Sequence, residues 1–367
     1  MLALAAENRA LKEQLEREKN SYCKHMAEQV LKNEHLRRVN KTLEDSLKSG
    51  QKKNSDSFLS VESLKDNPSK HFKYYTGFGY DQFKHIFTFL VPDSSTSPMT
   101  FERKITSVVN IKLEDQLLLT LVKLRLNLQF QHLGNLFNIS SQDAGALFRQ
   151  WLNYMFYKFG SVPIWPARDV LIQKMPPKFR EEFPNVMVIL DGTELKIEKP
   201  SSLKSQSQCY SDYKSATTLK ALVGVDPRGS FIFISMLFAG SISDKDITSQ
   251  SGLLTMLQQL LDNGHLQKGD GVMVDKGFLI ASEIEQLGLK LYIPPFASGS
   301  SQMSAGDVSL TRKIAKHRVH VERAISRAKK FKIVDNRVEL SLFPCINQIW
   351  FCCCFLTGFM PYLITEK

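Results

Sequence analysis

The hydrophobic positions change their period along the chain, and each change marks a different kind of element. Residues 1–48 contain no glycine or proline and are rich in Glu, Lys, Leu and Ala. Leu15, Tyr22, Leu36 and Leu43 keep a seven-residue register that Gln29 interrupts, with Glu18, His25 and Lys32 at partner positions. The pattern predicts a long amphipathic helix with imperfect heptads, either a dimerising coiled coil or a solvated single helix. Residues 49–70, opening SGQKKNSDS, read as a flexible polar linker.

Residues 71–165 have a helical period. Helices are predicted over Asp81–Leu90 and Glu114–Leu128, with SSTSP after Pro92 as a break. The stretch QFQHLGNLFNISSQDAGALFRQWLNYMF then gives a short apolar-patterned helix, a turn around Asn138–Ser141, and a longer helix capped by Ser140 or Ser141. That is a helix-turn-helix shape. Placed in a DNA major groove, the second helix would present Gln142 and Arg149. Any pair of packed helices gives the same pattern, and Asp143 is a poor neighbour for phosphate.

Beyond Pro184 the period becomes that of strands. VMVILD (186–191) is an apolar run ending in an acid. TLKALVGV and SFIFISMLF flank the turn Asp226-Pro227-Arg228-Gly229, a hairpin signal. Helix ITSQSGLLTMLQQLL, strand GVMVD, helix ASEIEQL, strand KLYIPP and a long helix over 309–332 complete the series. This order predicts an α/β domain over 185–335, a mixed sheet flanked by helices, preceded by the all-helical domain. Residues 336–367 are read as a C-terminal helix packed on that domain. Its apolar run CINQIWFCCCFLTGFMPYLI approaches a membrane span in length, but Asn347, Gln348, Gly358 and Pro361 favour a buried helix and no membrane role.

Charge narrows the choice of partner. The 367 residues carry a net +11 with a pI near 9.2, which favours a polyanion such as nucleic acid. The six cysteines include no CxxC pair, so reduced thiols in a cytosolic or nuclear protein are expected rather than a zinc site or disulfide framework.

The sharpest local signal is HRVHVERAISRAKKFK (317–332), where six arginines and lysines surround one acid, Glu322. Leu310, Ile314, Val321, Ile325 and Ala328 mark an apolar stripe; Arg312, Lys316, His320, Arg323, Arg327 and Lys330 follow helical spacing on an outer side. Glu322 lies at the margin of the buried face. Two strands end in aspartate, Asp191 and Asp275, each followed by turn residues, and strand ends are where crevices form in open sheets. If the strands are neighbours, Asp191, Asp275 and Glu322 meet, and their repulsion calls for a cation. Magnesium or manganese suits carboxylate oxygens, and two such ions serve phosphodiester cleavage. Arg318, Arg323, Arg327 and Lys330, together with Gln142 and Arg149, are the expected DNA contacts. Glu194, Asp244 and Asp246 are weaker candidates, Asp246 reading as a helix N-cap. The alternative is a solvated basic face carrying one incidental glutamate.

These residues resemble the PIF/Harbinger-like DDE superfamily of transposases and transposase-derived endonucleases, most closely the branch whose members often carry an N-terminal THAP zinc finger. The matching stretches are YYTGF (74–78), the helix-turn-helix segment, IWPARD (164–169), ILDGTE (189–194), YSDYKSATTLKALVGVDPRG (210–229), GSISDKDITSQSG (240–252), VMVDKGF (272–278), YIPPF (292–296) and HRVHVERAISRAKKFKI (317–333). No THAP finger is seen; the chain opens within what looks like the coiled-coil segment that follows one. The resemblance implies an RNase H-like fold with a five-stranded mixed sheet, a catalytic Asp191-Asp275-Glu322 triad holding Mg2+ or Mn2+, and a nuclear DNA endonuclease or transposase. It also adds a Myb-like accessory protein as a candidate partner, and a domesticated DNA-binding protein that no longer cuts as the rival function.

Overall fold

The computed structural model describes Lys41 and residues 58–65, 71–92, 111–296 and 304–364. The expected coiled coil (1–48, Lys41 apart), the start of the linker and the SSTSP break lie outside them. The described part of the linker is not loose. Leu59, Val61 and Leu64 are buried, Val61–Lys65 is helical, and the Val61 N–H donates to Asp115 Oδ1 at 2.6 Å. Three apolar side chains in seven residues gave this short stretch something to bury.

Three helices form the helix-turn-helix region: α1 (Leu113–Leu126), α2 (Phe130–Phe137) and α3 (Ser141–Gly160). Left-handed Asn127 (φ 52°) ends α1, and left-handed Asn138 (φ 54°) ends α2, conformations that asparagine tolerates. Buried Lys123 secures the first corner, its Nζ donating to Asn127 Oδ1 at 3.0 Å and to the Leu128 carbonyl at 2.9 Å. Gly134 makes the second corner tight, because a Cβ there would lie 2.6 Å from the Ile139 carbonyl oxygen. Ser140 is the cap of α3, accepting from the Asp143 N–H. Trp151 on α3 donates its indole N–H to Gln116 Oε1 on α1 at 3.0 Å, satisfying a fully buried polar atom.

Among the described residues the sheet contains seven strands rather than the five expected, β1 (Val186–Lys196), β2 (Tyr210–Ser211), β3 (Ala216–Val225), β4 (Phe231–Ile234), β5 (Phe238–Ala239), β6 (Gly271–Met273) and β7 (Lys290–Tyr292). The main path runs β2-β3-β1-β6-β7, and the short β4 and β5 pair with β3. β3 is antiparallel to β1; β6 and β7 are parallel to their neighbours, so the sheet is mixed. The hairpin turn forms where expected, with fully buried Asp226 accepting from the Arg228 and Ser230 N–H groups.

Two further elements differ from their expected bounds. β1 does not end at Asp191 but continues through Lys196, because β3 supplies a partner to every residue from Ile189 to Lys196. The expected helix ITSQSGLLTMLQQLL is two helices, Asp244–Gln250 and Leu253–Asp262, parted at left-handed Gly252 (φ 81°).

The long basic helix is α4 (Ala305–Ala328), and it packs across β1 and β3. Its buried face includes Ile314, His317, Val321, Ala324, Ile325 and Ala328, whereas Leu310, expected in that stripe, is exposed. The apolar run near the C-terminus folds as two 3-10 turns flanking α5 (Ile346–Leu356). α5 packs on α3 and on β4, burying Trp350 and the thiols of Cys352, Cys353 and Cys354. The Phe159 and Phe355 rings stack at 4.2 Å between α3 and α5, worth about 1 kcal/mol beyond the area they bury. The helix-turn-helix region and the sheet therefore share one core through α5.

Candidate active site

Parallel pairing of β1 with β6 sets the site. Val188 pairs with Val272 and Ile189 with Met273. Continuing that register by two residues brings Asp275, just past the end of β6, alongside Asp191 in the middle of β1. Both carboxylates reach the same guanidinium. Arg318 on α4 lies 3.0 Å from Asp275 Oδ1 through Nη1 and 3.4 Å from Asp191 Oδ1 through Nη2.

One helical turn beyond Arg318, Glu322 faces the same space. Arg318, Glu322, Ile325 and Ser326 form the stripe of α4 that, with Lys329 just past its end, lines a cleft of about 980 Å³, whose lining also includes Asp191, Glu194, Asp244 and Asp275. Lys214, Lys220, Lys330, Lys332 and Arg125 also line it, together with a further acid, Asp335. Acids and cations lining one cleft are what a site for a metal-bound phosphodiester requires.

Asp191 feels this setting most. Burial raises its pKa from 3.8 to about 6, the nearby Asp275 and Glu322 charges add to the rise, and Arg318 and the Gly192 N–H (3.0 Å) oppose it. Glu322 is exposed. Among the described residues no three acidic, histidine or cysteine side chains stand close enough to hold an ion together. The donor chemistry nevertheless fits a hard cation, and the guanidinium between Asp191 and Asp275 shows that a positive group is accommodated between those two carboxylates.

A second charged pair supports the first. Lys220 Nζ lies 2.8 Å from Asp244 Oδ1 and donates to the Ile242 carbonyl at 3.2 Å. The Asp244 carboxylate fits between two glycines. A Cβ on Gly192 would come within 3.1 Å of its Oδ1, and a Cβ on Gly277 within 3.1 Å of its Oδ2. Asp244 thus packs against the backbone just after each aspartate, in β1 after Asp191 and in the loop after Asp275. Ser243 caps this helix, accepting from the Asp246 N–H, so Asp246 is not the cap that the sequence suggested. Glu194 is engaged twice, its Oε2 accepting from Thr218 Oγ1 at 2.7 Å and its carbonyl from Lys329 Nζ at 2.9 Å.

The expected DNA contacts scatter. Arg318, expected to meet phosphate, is 9% exposed and committed to the two aspartates. Arg327 donates to the Pro361 carbonyl, and Arg323 is exposed but outside the cleft lining. Lys330 does line the cleft. His320 is held against the Phe179 ring, and burial lowers its pKa to about 4, so the outer cationic row is broken there. Gln142 and Arg149 are exposed on α3, away from the cleft lining. Sequence reasoning overlooked Lys220, Lys214 and Lys329; Lys220 had a signal, being a single cation inside the apolar strand ATTLKALVGV.

Residues 190–358 match the DDE superfamily endonuclease family, and residues 110–161 match the helix-turn-helix of DDE superfamily endonuclease. The chain carries a DDE superfamily endonuclease domain. The endonuclease match begins one residue before Asp191 and takes in the whole cleft-facing stripe of α4, so every acid of the cleft lining lies inside it. The helix-turn-helix match covers α1, α2 and α3. No curated protein matches the sequence.

Proposed function

We propose that this chain is a transposase-derived, divalent-metal-dependent DNA endonuclease of the PIF/Harbinger-like kind, acting in the nucleus through Asp191, Asp275 and Glu322 on an RNase H-like fold. The observation that carries this reading is the convergence of those three acids, from β1, the end of β6 and α4, on one cleft inside the endonuclease match. The strand order, antiparallel on one side of β1 and parallel on the other, supports the fold assignment.

Asp191, Asp275 and Glu322 would hold magnesium or manganese, which when bound supplies Lewis acidity toward the phosphate and lowers the pKa of an attacking water. Lys214, Lys329, Lys330 and Lys332 take the DNA phosphates along the cleft. Arg318 neutralises Asp191 and Asp275 and fixes their rotamers. Lys220 and Asp244 hold the backbone after both aspartates in place. The exposed face of α3, with Gln142 and Arg149, is a further DNA contact, and the N-terminal helix and a Myb-like protein are the proposed routes to dimerisation and targeting.

The pairing of Arg318 with both aspartates favours a second reading, in which the chain binds DNA and does not cut it. Nicking of supercoiled plasmid by purified chain with manganese separates the two: metal-dependent nicking supports the endonuclease, and salt-sensitive binding without nicking supports the rival.

A further inference from the structure

Beyond the cleft, β1 leads into a second cavity of about 480 Å³, lined in part by Lys196, Lys199, Tyr210, Leu203, Ser215 and Arg337. Three cations converge on it with no acid in its lining, and none of the three forms an ion pair among the described residues. The nearest acid in sequence, Glu198, is turned away and accepts from the Leu340 N–H at 3.0 Å. Uncompensated positive charge around a concavity favours an anion.

The cavity also offers apolar surface in solvent. Leu203 is 81% exposed and Tyr210 45% exposed. Phosphate alone does not need such groups, whereas a base or sugar beside the phosphate does. The volume suits one nucleotide, within the roughly 300–1,000 Å³ of ordinary small-molecule sites, and cannot take a duplex whose major groove alone is about 12 Å wide.

The turn between β2 and β3 separates the two hollows. Tyr213 and Lys214 stand on it, with Lys214 Nζ 4.3 Å from the Tyr213 ring centroid, and Ser215 (φ 47°) bends the chain back toward the second cavity. Lys214 lines the cleft while Ser215 lines the cavity, so one basic, aromatic ridge joins them.

We propose that this cavity is a nucleotide subsite for single-stranded DNA flanking the bond in the cleft, with Lys196, Lys199 and Arg337 on phosphate and Tyr210 and Leu203 against the base. The proposal rests on the DNA-processing reading. Lys196 follows Asp191 by five residues, about 17 Å along an extended strand, which corresponds to roughly five nucleotides of stacked single strand.

The test is fluorescence anisotropy with full-length protein and a labelled duplex, either blunt or carrying single-stranded tails of two, five or eight nucleotides at either end. The expected result is binding about tenfold tighter once a tail at one end reaches five nucleotides. The triple variant K196Q/K199Q/R337Q should lose that gain and keep its blunt-duplex affinity, and its salt slope should fall by about 2 for three single-strand contacts. Tyr210→Ala should lose part of the gain with the salt slope unchanged. Equal binding of blunt and tailed DNA, or a tail preference that the triple variant keeps, overturns the subsite. Plasmid nicking measured on the same preparation keeps this result apart from the endonuclease reading. A tail preference without nicking leaves the subsite standing and removes the enzyme, and nicking without a tail preference does the reverse.

Discussion

Arg318 Nη1 lies 3.0 Å from Asp275 Oδ1, and this contact ties the basic helix to the loop that follows β6. The same arginine reaches Asp191, so a single guanidinium spans Asp191 and Asp275, while Glu322, four residues later on the helix, lines the same cleft. Glu322, the one acid of the 317–332 stretch, thus shares the cleft lining with both of those carboxylates and has an arginine one turn away.

Arg318→Met keeps the aliphatic stem and removes the charge. Asp191, only 19% exposed at its side chain, then loses its counter-charge. Stability by urea denaturation should fall by about 1–3 kcal/mol at neutral pH, the usual cost of leaving a partly buried charge unpaired.

The raised pKa of Asp191 has a signed consequence for the metal-free protein. The folded state keeps the proton up to about pH 6 while the unfolded chain releases it near 3.8. Folding therefore binds protons in that window, and this group's contribution to stability declines as pH rises from 3.8 through about 6, then stays constant. The decline is at most roughly 3 kcal/mol at 1.36 kcal/mol per unit. Asp191→Asn should flatten it, measured as the difference between variant and wild-type urea midpoints at pH 4 and pH 7.5 in the presence of chelator. A difference that does not change with pH would contradict the assignment.

Gly192→Ala should push on Asp244 and Lys220, because the new Cβ would lie 3.1 Å from Asp244 Oδ1 and 3.2 Å from Lys220 Cε. The expected stability cost is about 1 kcal/mol, with a larger relative loss of nicking than of DNA binding. Lys220→Met should reproduce the nicking defect, since it removes the same ion pair.

Manganese should stabilise the wild-type fold in thermal unfolding, by about 2.7 kcal/mol at a hundred times its dissociation constant. Asp191→Asn and Asp275→Asn should each abolish most of that shift. A shift of equal size in both variants would place the ion elsewhere.

Much of this was legible in the sequence where a residue's role is local. The strand runs, the Asp226–Gly229 turn, Ser140 as a cap and the two helices beside it follow from periodicity and turn chemistry. Long-range pairing was not legible. Nothing in VMVILDGTELK says that the strand continues past Asp191, since that depends on β3 lying beside it. Nor could helical spacing tell which face of α4 Arg318 would take. Its neighbours suggested solvent, and the two aspartates across the cleft drew it inward. Asp244 was visible only as a residue near a helix start; its contact with Gly192 and Gly277 is a product of the fold. The basic cavity beside Tyr210 draws on residues from 196 to 337, too far apart to read as a motif.

The most direct measurement of the central claim is nicking of supercoiled plasmid by purified protein in manganese or magnesium, beside Glu322→Gln. The expected result is metal-dependent nicking by the wild type and a loss of at least about a hundredfold in the variant, equivalent to about 3 kcal/mol of transition-state stabilisation, with folding and DNA binding retained. Nicking by Glu322→Gln at the wild-type rate would contradict it.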